Sequence, residues 1–207
     1  MKSKKIAKNI YSLKYNMTEF FAQNKYKIIV CLLFCFVGLL TGIFTAIKLY
    51  DLDDSDVFES FNLTYQLEDL EKFSQNFFGR LLSYEIVLAI LLIFSLNPVL
   101  YIFGWCLLAY RSFLISINCV MLILFFSFNG IIKALLIILP CQLLMILILI
   151  GFFCYMIKHM RYNRCVNCKK FTLFFNPFLI ATLLLSLINI VETFLLFIFR
   201  NNVILVI

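Results

Sequence analysis

Charge is what this chain most lacks. Only 14% of its 207 residues are Asp, Glu, Lys or Arg, against about a quarter in soluble domains, which excludes an ordinary water-soluble globule. Glycine and proline are scarce, at 6 and 3, so flexible linkers and low-complexity tracts are excluded too. With 1 histidine, H-E-x-x-H cannot occur, and G-x-S-x-G, P-loop and G-x-G-x-x-G motifs are absent. Hydrocarbon fills the chain instead: 64% of residues are hydrophobic, 25 are phenylalanine, and the mean hydropathy is +1.01. So apolar a chain cannot stay solvated as a disordered one. It reads as an integral membrane protein. Its net charge of +7 then bears on topology and lipid contact, with nucleic acid excluded as a partner.

The 8 cysteines do not read as a disulfide scaffold. Cys31, Cys35, Cys106, Cys119, Cys141 and Cys154 lie in apolar runs, where a thiol behaves as a small hydrophobe. Cys165 and Cys168 form a C-x-x-C in a basic loop, beside His159. A structural zinc site wants four ligands, so these would need a second subunit to complete the set. Reduced thiols without metal are the preferred alternative, and no cofactor is expected.

Apolar runs and breaks predict an all-α polytopic bundle of about five spans. Residues 1–27 form a basic leader in which Ile6, Ile10, Leu13, Met17 and Phe20 recur at helical spacing. Either an amphipathic interfacial helix or a solvated tail that only sets topology fits that pattern. The leader lacks the small-residue cleavage site of a signal peptide, so it is expected to be retained. The membrane domain covers residues 28–207. Its first span, Ile28–Ile47, is 20 residues long and crosses ~30 Å of hydrocarbon. Gly38 and Gly42 make a G-x-x-x-G step there, which allows close approach of another helix.

Residues 48–80 are acidic and carry Leu63, Leu67, Leu70, Phe73 and Phe77 at helical spacing, which predicts an amphipathic helix in this loop. A second, shorter span at 81–96 ends at Asn97-Pro98, because proline disfavours helix in the residue before it. Residues 99–128 read as a kinked span with a re-entrant or interfacial piece around 103–110. A further span at 130–157 is interrupted by Pro140, and the last covers 178–199.

Lysine and arginine counts set the sides. The leader carries Lys2, Lys4, Lys5, Lys8, Lys14, Lys25 and Lys27, and the 158–170 loop carries Lys158, Arg161, Arg164, Lys169 and Lys170. Both belong in the cytoplasm by the positive-inside rule. Five spans satisfy that and put the 48–80 loop and the C-terminus outside. The expected location is a cell membrane, multi-pass, with lipids as the first partner.

Arg111, Asn118, Gln142 and Glu192 are the polar side chains set in apolar sequence. An ionised carboxylate at the bilayer centre costs about 2.5–3.5 kcal/mol on insertion scales, so Glu192 should be protonated, paired or facing water. Arg111 is its natural partner; the alternative is that Arg111 snorkels to the interface. The spans offer no nucleophile–base pair, and catalysis is not expected.

Phe21 to Lys25 leading into the Gly38/Gly42 span, Tyr110-Arg111-Ser112-Phe113-Leu114 with the later Ile138-Leu139-Pro140-Cys141-Gln142, and Asn189-Ile190-Val191-Glu192-Thr193-Phe194 together resemble the stage II sporulation protein M family of bacterial membrane proteins. Ser112 stands where that family commonly has glycine, and Cys141 intrudes before Gln142. The resemblance implies a non-catalytic scaffold that recruits peptidoglycan hydrolases, the stage II sporulation proteins D and P, to the septal membrane during engulfment. In that role Phe58, Phe61, Leu67, Leu70 and Phe73 of the outer loop would contact the partner, unless that apolar stripe lies on the membrane surface. Self-association is compatible with both outcomes. A second hypothesis makes the chain a small permease-like subunit of a transporter, with Arg111, Asn118, Gln142 and Glu192 lining the pathway.

Overall fold

The computed structural model describes residues 2–51, 70–162 and 171–198, and these are helical nearly throughout. Helix α1 is Lys2–Asp51, α2 Leu70–Ser95, α3 Tyr101–Lys133, α4 Leu139–Tyr162 and α5 Phe171–Ile198. Within them lie five segments long and apolar enough to cross a membrane: Ala22–Tyr50, Phe77–Ser95, Pro98–Phe125, Gly130–Lys158 and Phe175–Leu196. They are called spans one to five below. An all-helical bundle with five such segments is consistent with a multi-pass membrane protein.

Two local features differ from the sequence expectation. The basic leader does not form a helix of its own; it is the first part of the 50-residue α1, since nothing before Gly38 breaks the helix. Nor is there a re-entrant piece at 103–110, which lies inside α3. The break sits just upstream. Asn97 is extended at φ −125° and ψ 129°, as the residue before proline must be, and its side chain accepts from Val99 N at 3.0 Å. One 3-10 turn, Pro98–Leu100, then leads directly into α3.

Spans three and four pack antiparallel even though the chain between them stays helical. Gly104 faces the ring of Phe153, while a Cβ on Gly130 would lie 1.9 Å from the Leu122 carbonyl oxygen. Eight residues of straight helix cover ~12 Å, so the chain folds back between Phe125 and Gly130. Only glycine fits the inside of that reversal. In span four Pro140 is preceded by a five-residue π turn, Ala134–Ile138. Proline lacks the N–H for the carbonyl four residues back and its ring crowds that oxygen; a widened turn relieves both.

Spans one and three run parallel along a small-residue seam. A Cβ on Gly38 would meet the Ala109 carbonyl oxygen at 2.1 Å, and one on Gly42 would meet that of Phe113 at 2.6 Å. Ser116 Oγ donates to the Leu39 carbonyl at 2.8 Å along the same seam, and the Tyr50 and Phe125 rings close it at 5.7 Å. The sequence step at Gly38 and Gly42 is therefore a packing face toward α3.

Leu88, Leu91, Leu108, Met145, Leu149, Phe153 and Leu185 fill the centre. The outer faces are just as apolar. Phe44 is 71% exposed and Leu136 68%, the pattern of helices whose outsides meet lipid. Hydroxyls within the spans bond back to their own helix: Thr41 to Val37 and Thr193 to Asn189, for example. Those hydroxyls are thus satisfied without water.

Candidate functional site

One group of buried polar side chains, Gln142, Asn189, Glu192 and Thr193, lies between spans two to five. Glu192 stands one turn from the end of span five and is only 1% exposed. Its partner is Arg80, one turn into span two, whose Nη1 lies 3.2 Å from Glu192 Oε1. This corrects the expected pairing with Arg111. Arg80 was assigned to the polar loop; because span two starts at Phe77, its guanidinium reaches the bundle interior while its side chain stays 21% exposed. Where Glu192 expected one cation, it has a cation and an amide. Gln142 Nε2 donates to both carboxylate oxygens at 2.9 Å.

That amide orientation is fixed from its other side, where the Tyr84 hydroxyl donates to Gln142 Oε1. The Tyr84 ring in turn lies under Arg111, with the guanidinium carbon 4.6 Å from the ring centroid. Arg111 also donates to Ser83 Oγ. One chain of contacts, Arg80–Glu192–Gln142–Tyr84–Arg111, therefore ties spans two, three, four and five together. A second polar seam joins spans two and five. Asn189 Nδ2 donates to the Phe77 carbonyl at 3.2 Å, and Thr182 Oγ1 donates to Glu85 Oε2 at 3.0 Å.

Helical spacing explains the assembly. Asn189, Glu192 and Thr193 sit at i, i+3 and i+4 on one face of α5, as do Arg80, Ser83 and Tyr84 on α2. Glu85, like Glu192 a carboxylate within a span, was overlooked in the sequence, although the rule that flags intramembrane ionisable groups applies to it equally. Tyr84 and Ser83 carry no such signal, because aromatic and hydroxyl residues are ordinary inside spans.

Arg111 is the least compensated member. It has one hydrogen bond and one ring contact, and its Nε is buried without a hydrogen-bond partner among the described residues. Cation–π contact is worth about 0.5–2 kcal/mol, whereas removing an ion from water costs several. Beside it lies a cavity of about 260 Å³ lined by Arg80, Ser83, Tyr84, Arg111, Asn118 and Gln142, with Leu114, Ile115, Ile138, Ile146 and Leu149 on the apolar side. Asn118 thus joins Arg111 and Gln142 at one cavity. Pro140 is exposed on the outer side of span four and shapes the helix without lining that cavity.

No group of three His, Cys, Asp or Glu suited to a metal occurs among the described residues. The candidate metal ligands Cys165 and Cys168 lie outside the described residues, as do Phe58, Phe61 and Leu67 of the partner-contact stripe; Leu70 and Phe73 fall on the first turns of α2.

Compared with known proteins, the chain matches no family model, and no curated protein or solved structure is significantly similar to it.

Proposed function

We propose that this chain is a non-catalytic membrane scaffold that holds extracytoplasmic partners at the membrane, in the manner of the sporulation family whose short segments it resembles. The observation that carries this reading is how the interior polar groups are used. Arg80, Glu192, Gln142 and Tyr84 spend their hydrogen bonds on one another across spans two, four and five, which fixes helix register. A fixed bundle is what presentation of the 48–80 loop on one side requires. Wall hydrolases are the partner class that the resemblance supplies. Affinity purification from native membranes, with the intact chain and with one in which residues 52–69 are replaced by a Gly/Ser linker, tests it. The intact chain should retain secreted hydrolases and the replaced one should lose them. Equal recovery from both sinks the reading.

The cavity at Arg111 favours a second reading, a small transporter subunit. It calls for solute flux in reconstituted vesicles that Glu192→Gln changes, since that carboxylate holds Arg80 and Gln142 at the cavity wall.

A further inference from the structure

The cavity between spans two, three and four has an unbalanced wall. Two guanidinium groups, Arg80 and Arg111, line it, and none of its lining residues is acidic. Arg80 already faces Glu192 from behind. Among the described residues Arg111 contacts a phenol ring and a hydroxyl but forms no ion pair with a carboxylate, and its buried Nε has no acceptor. The polar neighbours are donors in waiting. Ser83 Oγ accepts from Arg111, which leaves its own proton uncommitted among the described residues, and Asn118 makes no hydrogen bond among them. Gln142 and Tyr84 are already committed to each other. The space of about 260 Å³ falls below the ~300–1,000 Å³ of pockets for drug-sized ligands, so it fits one small molecule or one group of a larger one.

We propose that this cavity binds a single oxyanion group, a carboxylate or a phosphate, with the Arg111 guanidinium as its charge partner and Ser83 and Asn118 as added hydrogen-bond donors. Guanidinium presents a planar fork that matches both anions, and the low-dielectric surroundings strengthen the pairing. The inference goes beyond the scaffold reading and holds whether or not hydrolases bind. The group has two possible sources, a soluble anion or the headgroup of an acidic lipid, and the chemistry at Arg111 is the same for both.

Thermal unfolding of the full chain separates them. One arm uses neutral detergent micelles with sodium phosphate or sodium acetate titrated against sodium chloride at matched ionic strength. The other uses nanodiscs of phosphatidylcholine with and without phosphatidylglycerol. A tenfold excess over the dissociation constant should raise Tm by about 4 °C for a chain of this size. A rise in the first arm marks a soluble anion; a rise in the second alone marks a lipid. Arg111→Gln should abolish the rise in either arm. Should that variant fail to fold, Asn118→Leu, which fills part of the cavity and leaves both guanidiniums in place, should reduce it. No rise in either arm, or an undiminished rise in the folded variants, overturns the proposal.

Discussion

Gln142 grips both oxygens of Glu192 at 2.9 Å while Arg80 holds one of them at 3.2 Å, so a carboxylate in span five is satisfied by two other helices at once. The partners belong to spans two and four. Removing any one member leaves a buried polar group with less than it needs, which makes the cluster expensive to break piecemeal.

The first prediction follows from that geometry. A double-mutant cycle with Arg80→Gln and Glu192→Gln, read by unfolding in micelles, should give a coupling energy of about 1–3 kcal/mol, as contacting pairs do. The cycle pairing Arg111→Gln with Glu192→Gln should give a smaller one, because Arg111 reaches Glu192 only through Tyr84 and Gln142. A larger coupling for Arg111 would mean the cation was assigned to the wrong helix.

Tyr84 has two separable jobs. Its hydroxyl orients Gln142 and its ring supports Arg111. Tyr84→Phe should cost about 1–3 kcal/mol by leaving Gln142 Oε1 buried without its donor. Tyr84→Leu should cost a further ~0.5–2 kcal/mol by removing the ring as well. If the two variants unfold together, the ring contact contributes nothing.

Glycines provide an internal control for packing. Gly38→Ala puts a methyl group where the Ala109 carbonyl oxygen stands 2.1 Å away, so spans one and three must separate. Overpacking of this kind costs about 1–3 kcal/mol. Gly151→Ala adds a methyl group with nothing within 4 Å and should stabilise by about 0.5–1 kcal/mol, the helix preference of alanine over glycine. Measured side by side, opposite signs are expected; equal effects would place the seam elsewhere.

Hydrophobic runs made the spans legible, since a membrane-length apolar segment has few other uses. Asn97-Pro98 was legible as a break, whereas the interruption expected at Pro140 is only a widened turn in a span that stays helical, and Pro177 lies within α5 without ending it. Gly38 and Gly42 were legible as a step, yet no feature of the sequence names α3 as the helix it meets. The polar cluster was half legible. Glu192, Gln142 and Arg111 stand out against apolar neighbours, whereas Arg80 merged with the acidic loop before it. Which polar residues share a cluster depends on helix register between spans, and periodicity within one helix carries no information about that. The reversal between Phe125 and Gly130 was legible as the boundary between the spans read at 99–128 and 130–157, where Asn129-Gly130 is a turn-favouring pair. How tightly the chain folds back there was not, because the closeness of Gly130 to Leu122 depends on packing between the two spans.

Alternating span directions make the sharpest demand on topology. Spans one and three run parallel, spans three and four antiparallel, and Phe152 against Phe178 with Gln142 against Glu192 set spans four and five antiparallel. The helix ends at Asp51 and Leu70 then lie at the opposite end of the bundle from those at Tyr162 and Phe171, and the positive-inside rule predicts that the basic 158–170 connection is cytoplasmic. Native Cys165 and Cys168 are ready probes for it. In a chain whose Cys106 is replaced by Ser, a membrane-impermeant maleimide should leave them unlabelled in intact cells and label them in inverted vesicles. Ser60→Cys should behave the opposite way. Labelling of both loops from one side would require an even number of crossings and would break the alternation that brings Arg80 to Glu192.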